Sequence, residues 1–311
     1  MSGLRFDGRV AIVTGAGGNP GLGRAHARLL AAHGAKVVVN DLGVGPDGRG
    51  GRPARAEAVA EEIRSEGGEA VADGHSVATQ DGAQAIVETA LRTYGRIDVL
   101  VNNAGVVEFA LFEQLTPTDI EKMLGTHLMG TIWMCRAVWP HLKNAGYGRI
   151  INTVSGSLLG ARYASVYGAA KGGILGLTRN LAIEGEEHGI KVNALAPGAA
   201  TVAWQTMSAE EARPSPEILA KLSPDLVAPT AGYLAHEDCA VSGKCIGSEG
   251  GNIFELWYGR TSGADRDVWT LGDVEQEWSR IVDRTGFREI GDPFDGCGGF
   301  KLTPRAYRPE S

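Results

Sequence analysis

Short apolar runs alternate with helix-length segments along most of this chain, and that alternation limits the folds open to it. Val10-Ala11-Ile12-Val13-Thr14, Lys36-Val37-Val38-Val39-Asn40, Glu69-Ala70-Val71-Ala72-Asp73 and Val99-Leu100-Val101 come first. The first two are continuously apolar, as strands buried on both faces are. Arg24–His33, Ala54–Glu66 and Ala83–Tyr94 lie between them and read as helices. Strands separated by helices of this length imply a parallel sheet with right-handed crossovers. The pattern continues with a long helical stretch over Thr116–Asn144, in which Pro140 removes a hydrogen bond and is expected to kink the helix. Arg149–Val154 is a fifth strand, Ile190–Ala196 a sixth ended by Pro197-Gly198, and Lys244–Gly247 a seventh. The expectation is an α/β fold, a doubly wound parallel sheet of about seven strands in a single domain.

Between the first strand and the first helix stands Gly15-Ala16-Gly17-Gly18-Asn19-Pro20-Gly21-Leu22-Gly23. Strand, glycine loop and helix in that order are the setting in which backbone amides approach a pyrophosphate and a helix N-terminus favours its charge. Alone, such a loop is also a plain turn into a surface helix. Asp41 ends the second strand. An acid there bonds an adenosine ribose and repels a 2′-phosphate, which favours NAD over NADP; the same residue would also suit as the cap of a turn. Arg49, Arg52 and Arg55 stand close enough in sequence to reach a phosphate, although solvated loop charges are the plainer reading.

Tyr167 and Lys171 are four apart, so on a helix they share one face, one turn apart. An ammonium beside a phenol favours the phenolate and is expected to lower the phenol pKa. A tyrosine so tuned exchanges protons near neutral pH. Ser155 follows the fifth strand and can hydrogen-bond the oxygen that Tyr167 protonates. Taken alone, a Tyr-x-x-x-Lys pair is more often a packed ring and a solvated amine.

Taken together, Thr14-Gly15…Gly21-Leu22-Gly23, Asn102-Asn103-Ala104-Gly105, Ser155, Tyr167-x-x-x-Lys171 and Pro197-Gly198 resemble the short-chain dehydrogenase/reductase family over roughly residues 8–250. Val37–Gly43, Tyr147–Ile151, Leu181–Gly185 and Val227-Ala228-Pro229 look more closely like the (3R)-hydroxyacyl-CoA dehydrogenase unit of peroxisomal multifunctional enzymes and related bacterial hydroxysteroid dehydrogenases. The resemblance implies a Rossmann-type domain and an enzyme interconverting a secondary alcohol and a ketone with NAD. It implies Ser155, Tyr167 and Lys171 as catalytic residues. His127 joins them, standing where the family usually has an Asn that holds a relay water; a relay role and a buried histidine bonded to a carbonyl are both open for it. Gly15, Gly17, Gly21, Leu22, Gly23, Asp41, Ser76, Val77, Asn103, Ala104, Gly105, Tyr167, Lys171, Pro197 and Gly198 are implied to hold the cofactor. There are departures. The glycine loop is two residues longer than the usual pattern. His75 stands where the family often has an Asp that bonds the adenine amine, so adenine contacts are expected to fall to backbone near Ser76.

Residues 1–263 are expected to form the dinucleotide-binding catalytic domain. Residues 264–311 read as a C-terminal extension, not an independent domain; their aromatics Trp269, Trp278, Phe287, Phe294 and Phe300 imply packing on their own domain or across a subunit boundary. The family implies a homodimer or homotetramer. A net charge of −7 over 311 residues argues against nucleic acid or an anionic membrane as partner. No apolar run has the length of a membrane span. The N-terminus lacks a signal peptide's apolar core, and Cys135, Cys239, Cys245 and Cys297 have no metal-type spacing, so a cytoplasmic protein with reduced thiols and no metal is expected. Trp204 and Met207 are candidates for an apolar substrate wall. The alternatives are an NADPH-dependent ketone reductase and a non-catalytic NAD-binding subunit; intact Ser155, Tyr167 and Lys171 argue against the second.

Overall fold

The structure is a computed structural model that describes residues 3–43, 54–201 and 215–289. The arginine candidates Arg49 and Arg52, the wall candidates Trp204 and Met207, and Phe294, Cys297 and Phe300 lie outside the described residues. The chain divides into two compact units, residues 1–255 and 256–311.

In the first unit, β1 (Val10–Thr14), β2 (Lys36–Asn40), β3 (Glu69–Asp73), β4 (Val99–Asn102), β5 (Gly148–Thr153), β6 (Ile190–Gly198), β7 (Cys245–Glu249) and β8 (Asn252–Leu256) form one sheet. The strand order is β3-β2-β1-β4-β5-β6-β7-β8. The first seven are parallel to their neighbours. β8 is an addition to the expected set. It is reached through Gly250-Gly251, both with positive φ, and a two-residue connection of that kind turns the chain back antiparallel. Its five residues are exposed or half-buried, so they carry no apolar run to mark them. β6 is longer than expected: Pro197 and Gly198 remain in register with Ser248 and Glu249 of β7 instead of ending the strand.

Helices cover both faces. Ala11, Val13, Val37 and Val39 pack against Ala27 and Leu30 of α1 (Leu22–Ala32), Ile63 of α2 (Ala54–Ser65) and Leu234 of the helix Ala228–Ala235. Val10, Ile12, Val38 and Leu100 point the other way, onto Ile86 of α3 (Gln80–Tyr94) and Met134 and Val138 of α5 (Gly130–Ala145). Successive side chains of a strand alternate faces, so covering both produces the continuous apolar runs.

α3 begins before the expected Ala83 because Thr79 caps it, its hydroxyl accepting from Gly82 N at 3.1 Å. The long helical stretch is two helices, α4 (Pro117–Leu124) and α5, joined by a π-helical turn over Gly125–Met129. Pro140 sits inside α5, so the change of helical register lies at residues 125–129. α6 (Ser165–Gly185) follows β5.

A buried polar chain ties the sheet to α6. Asn102 Nδ2 donates to Asn152 Oδ1 at 2.9 Å, and Asn152 Nδ2 donates to Thr178 Oγ1 at 3.0 Å.

The second unit carries a small antiparallel pair, Gly259–Arg260 with Arg288–Glu289, and the helix Leu271–Ile281. Thr270 and Asp273 form a capping box at that helix's start, and Trp257 stacks on Phe287 with centroids 4.8 Å apart. None of the helix's own residues is buried, Trp278 included.

Asn152→Ala removes both bonds of the buried polar chain, leaving Asn102 Nδ2 only the weak contact to Cys135 Sγ at 3.4 Å, while the Thr178 hydroxyl keeps its bond to Ile174 O at 2.8 Å. A poorly satisfied buried amide costs about 1–3 kcal/mol, so urea unfolding should show a loss of at least about 1 kcal/mol. An unchanged midpoint would mean that the chain of bonds contributes nothing.

Candidate active site

The chain runs from β1 outward to β2 and β3, then crosses back to β4 on the other side of β1. Ligands of open α/β sheets bind in the crevice beyond the carboxyl ends of the strands at such a reversal. Here the two loops that meet there are clasped. Asn103 Nδ2 donates to Thr14 O at 2.9 Å and Gly15 O at 3.0 Å, while Thr14 Oγ1 accepts from Asn103 N at 3.0 Å and Ala104 N at 3.1 Å. Gly15 has φ 64°, and a Cβ there would lie 2.6 Å from Ala104 Cα, so glycine is required twice over. A Cβ on Gly23 would lie 2.5 Å from Gly15 O, and one on Gly21 2.5 Å from Gly18 O. The Asn19–Pro20 bond within this loop is cis.

The loop delivers the chain to α1 with Gly21 as its N-cap; no side chain caps the helix and its first turn holds no acid. That leaves the first-turn amides and the positive helix end available to an anion. The close glycine approaches and the open helix start together fit a dinucleotide pyrophosphate. Leu22 opens the helix and packs against the core.

Asp41 has a second task. Its Oδ2 accepts from Gly17 N and its Oδ1 from Gly43 N, each at 2.7 Å. The carboxylate braces the glycine loop, and a Cβ on Gly17 would lie 2.8 Å from Asp41 Cγ. Each oxygen keeps a further lone pair, so the brace is compatible with ribose binding. Ser76 and Val77 follow β3, with Val77 buried beside Gly130.

Beyond β5, Ser155 caps a short 3-10 turn, its Oγ accepting from Ser157 N at 3.2 Å. Ser155 also stands near enough to the Tyr167 phenol to pull its pKa down. Tyr167 and Lys171 stand one turn apart on α6, with Lys171 Nζ 5.5 Å from the Tyr167 ring centroid. Lys171 is 3% exposed and donates to Thr153 O at 2.7 Å. His127 lies in the π-helical turn, buried edge-on to Tyr167 with centroids 5.2 Å apart. Its Nε2 is 2.5 Å from Val106 O and 3.2 Å from Val106 N; the shorter contact, to a carbonyl that only accepts, assigns the proton to Nε2 and leaves Nδ1 an acceptor without a partner among the described residues. Gly105 makes room for it: a Cβ there would lie 2.3 Å from His127 Cε1. The sheet thus brings Ser155, Tyr167, Lys171 and His127 together. Pro197 and Gly198 lie at the carboxyl end of β6, and a Cβ on Gly198 would lie 2.4 Å from Glu249 Cβ.

Electrostatics correct one expectation. Burial pushes the Tyr167 phenol above its ordinary value, against which the Ser155 hydrogen bond pulls down. Lys171 does not offset this, because its own burial drives it toward neutrality, down to about 7. His127 is lowered to about 3, by burial first and by the Lys171 charge second, against the Val106 carbonyl. Val106 and Thr153, which hold these groups in place, carry no signal in the sequence, whereas Thr14 stands there as the first residue of the glycine motif, without a role of its own.

The sequence profile of the short chain dehydrogenase family matches residues 9–213. The chain belongs to that family. Its members are oxidoreductases that use NAD or NADP and act on small molecules. A short-chain type dehydrogenase/reductase of Mycobacterium tuberculosis is 41% identical over 91% of this chain and 97% of that protein. Peroxisomal multifunctional enzyme type 2 of Drosophila melanogaster is 40% identical over 95% of this chain, which spans 48% of that longer protein. The solved structure of a 7α-hydroxysteroid dehydrogenase with NADH and 7-oxo glycochenodeoxycholic acid superposes with a TM-score of 0.70 at 29% identity, covering 80% of this chain and 96% of that one. Among the described residues no helix is long and apolar enough to cross a membrane, and no cluster of three or more His, Cys, Asp or Glu forms a metal site.

A buried lysine titrating near 7 folded and near 10.5 unfolded binds fewer protons when folded between those values. Stability from this group therefore rises as pH climbs from about 7 to about 10.5 and is lost as pH falls back. Lys171→Met removes that dependence. Thermal midpoints of the cofactor-free proteins should favour the variant most below pH 7, with the gap closing by about pH 10. A gap independent of pH would show that Lys171 is not buried as described.

Proposed function

We propose that this short-chain dehydrogenase catalyses reversible hydride transfer between NAD and a secondary alcohol or ketone, with a 3-hydroxyacyl-CoA or a hydroxysteroid as substrate class. One observation carries the reading. Ser155, at the carboxyl end of the strand next to the glycine-braced crevice, acts on the Tyr167 phenol, and Tyr167 stands one helical turn from buried Lys171, whose Nζ is 5.5 Å from its ring centroid. When bound, the nicotinamide supplies the hydride acceptor or donor.

Tyr167 gives its phenolic proton to the ketone oxygen in reduction and takes the alcohol proton in oxidation. Ser155 orients that oxygen and places a donor where charge develops. Lys171 carries a second proton beside the phenol and is positioned by the Thr153 carbonyl. His127 offers its free Nδ1 as acceptor for a water that relays protons. Gly15, Gly17, Gly21, Leu22 and Gly23 hold the pyrophosphate. Asn103, Ala104, Gly105, Pro197 and Gly198 wall the nicotinamide side, and Ser76 and Val77 the adenine side.

The apolar substrate class has support at the mouth of the site. Phe109 stands edge-on to Tyr167 with centroids 6.3 Å apart, and Leu111, Phe112, Leu159 and Tyr163 are exposed nearby in sequence. The names of the relatives point the same way. Asp41 at the end of β2 favours NAD. A homodimer or homotetramer and a cytoplasmic location complete the proposal, although the multifunctional relatives are named as peroxisomal. Residues 1–263 are proposed to carry the activity, with 264–311 as an appended segment.

Absorbance at the reduced-nicotinamide band, with a panel of hydroxyacyl thioesters and hydroxysteroids, tests the reaction. Tyr167→Phe keeps the ring and removes only the proton carrier. Turnover should fall by about 10²–10⁴, the usual range for a general acid or base, while NADH affinity stays nearly unchanged. Near wild-type turnover would remove Tyr167 from the mechanism.

Asp41→Ala removes both the ribose acid and the brace on Gly17. NADH should bind more weakly and its preference over NADPH should shrink in fluorescence titrations. A preference that survives intact would assign selectivity to another group.

A further inference from the structure

At the pole of the sheet opposite the catalytic crevice, several chain segments meet where the parallel strands begin. Arg9 precedes β1, Asp98 precedes β4 and Tyr147 precedes β5, with Asp98 N donating to Val10 O at 2.9 Å and Arg149 N donating to Asp98 O at 3.0 Å. Glu237 follows the helix Ala228–Ala235. Between these segments lies a cavity of about 330 Å³, whose walls include Arg5, Asp7, Arg9, Arg96, Tyr147 and Glu237. Sites for small molecules begin at about 300 Å³.

Charge is unbalanced around this cavity. Asp98 is wholly buried, and its one carboxylate serves two guanidiniums. It accepts from Arg9 Nη1 at 3.0 Å, from Arg96 Nε at 2.8 Å and Nη2 at 2.6 Å, and from Val10 N at 2.9 Å. Arg9 and Arg149 both lie against the Tyr147 ring, 3.8 and 4.4 Å from its centroid. Arg149 is buried and donates to the carbonyls of Gly148, Gly189, His236 and Glu237; no described carboxylate pairs with it. Arg5, Arg9, Arg96 and Arg149 thus face Asp7, Asp98 and Glu237, four positive charges against three negative, in a chain whose net charge is −7. A buried cation without a counter-charge is costly, and an anion in the cavity offsets that cost.

Donors remain for such an anion. A guanidinium carries five N–H groups. Arg5 gives Nε and Nη2 to Asp7, and Arg96 gives Nε and Nη2 to Asp98, so each keeps Nη1 uncommitted among the described residues. Arg9 keeps Nε in the same way. Its Nη2 donates to Glu237 Oε2 at 2.8 Å, but that side chain is 58% exposed, and exposed pairs of this kind contribute little. We propose that this cavity is a second, non-catalytic site that binds a phosphate group through Arg5, Arg9 and Arg96, displacing the Glu237 carboxylate from Arg9. Three arginines match the three acceptor oxygens of a phosphate monoester and its charge of about −1.5 to −2. A carboxylate offers only two oxygens and one charge. The bound group ties the segment before β1 to the loop before β4, and it stabilises the fold because the unfolded chain has no such site.

The test titrates inorganic phosphate and glycerol phosphate into the full chain by calorimetry, at ionic strength held constant with sodium chloride, with and without saturating NADH. The wild type should bind phosphate saturably in both conditions, and its thermal midpoint should rise with phosphate. Tighter binding of the ester assigns the site to an organic phosphate, and equal binding assigns it to the free ion. Arg5→Gln and Arg96→Gln should each weaken binding about threefold, as partly exposed charge-assisted bonds do, and the double variant about tenfold. Glu237→Gln frees Arg9 of its competitor and should tighten binding about threefold. NADH affinity and turnover should stay unchanged in all of them. Absence of saturable binding, or its loss when NADH is present, overturns the proposal, the second by placing the ion in the dinucleotide crevice. Equal affinity in the wild type and all variants, or weaker binding in Glu237→Gln, means an adventitious ion only and overturns it as well. If the chain binds no NADH, the dinucleotide reading fails, and the variants alone decide this site.

Discussion

The clasp between Thr14 and Asn103 is the contact on which the rest of the site depends. At the point where the strand order reverses, the loops after β1 and β4 diverge, and their backbone groups leave the sheet ladder. Buried backbone donors and acceptors without partners are costly. Asn103 and Thr14 supply the missing partners across the gap, two bonds through each side chain, with every donor on the β4 side and every acceptor on the β1 side. The clasp draws Gly15 so close to Ala104 that no side chain fits between them. Its effects run both ways. On one side the glycine loop is aimed into the open start of α1. On the other, the chain passes through Gly105, whose missing Cβ admits His127, and His127 packs against Tyr167. The cofactor crevice and the catalytic ring are thus parts of one packed path.

The sequence reveals those features that are local or periodic. A parallel sheet covered on both faces leaves continuous apolar runs, so β1, β2 and β4 to β6 could be read directly. β8 could not, because it is an exposed edge strand whose residues need no apolar pattern. The extent of β6 through Pro197-Gly198 was hidden because a proline normally marks a strand's end, and only the register with β7 shows it continuing. Within the site, the four-residue spacing of Tyr167 and Lys171 translates directly into a shared helix face. Their charge states do not follow from spacing, because burial by distant parts of the chain outweighs the neighbour four residues away. Asp41 was legible as an acid ending a strand, but its bonds to Gly17 and Gly43 depend on how the loop folds back. Asp73 and His75 lie two residues apart, yet the Asp73 carboxyl that holds the His75 ring also accepts from Thr89 and Asn40, far along the chain in both directions.

Burial sets the electrostatic state of the catalytic cluster. Tyr167, Lys171 and His127 are each driven toward the neutral form. Isolated charges are expensive in such surroundings. Neutrality of the histidine also suits its neighbour: the Lys171 charge is one of the causes that lower His127. Of the three, only Lys171 titrates near physiological pH, at about 7. The amine is therefore the group whose charge responds most readily to anything negative brought into the crevice.

Two histidines of this chain show how one bond decides what a ring offers. In His75, the Asp73 carboxylate accepts from Nδ1–H and leaves Nε2 as an acceptor facing solvent. In His127, the Val106 carbonyl accepts from Nε2–H and leaves Nδ1 as an acceptor inside the protein. The first acceptor is hydrated at no cost. The second has no partner among the described residues, and a buried unsatisfied acceptor costs about 1–3 kcal/mol. Such a group persists where its surroundings hold it for another reason. Here the surroundings are Gly105, which is shaped around the ring, and a π-helical turn, which sets the ring out of the regular α-helical register. Both features fix His127 against Tyr167. A donor entering the site, whether water or hydroxyl, removes the penalty on Nδ1 in the act of binding beside the phenol. The orphaned nitrogen therefore favours a proton-bearing guest next to Tyr167, where the proposed reaction requires one.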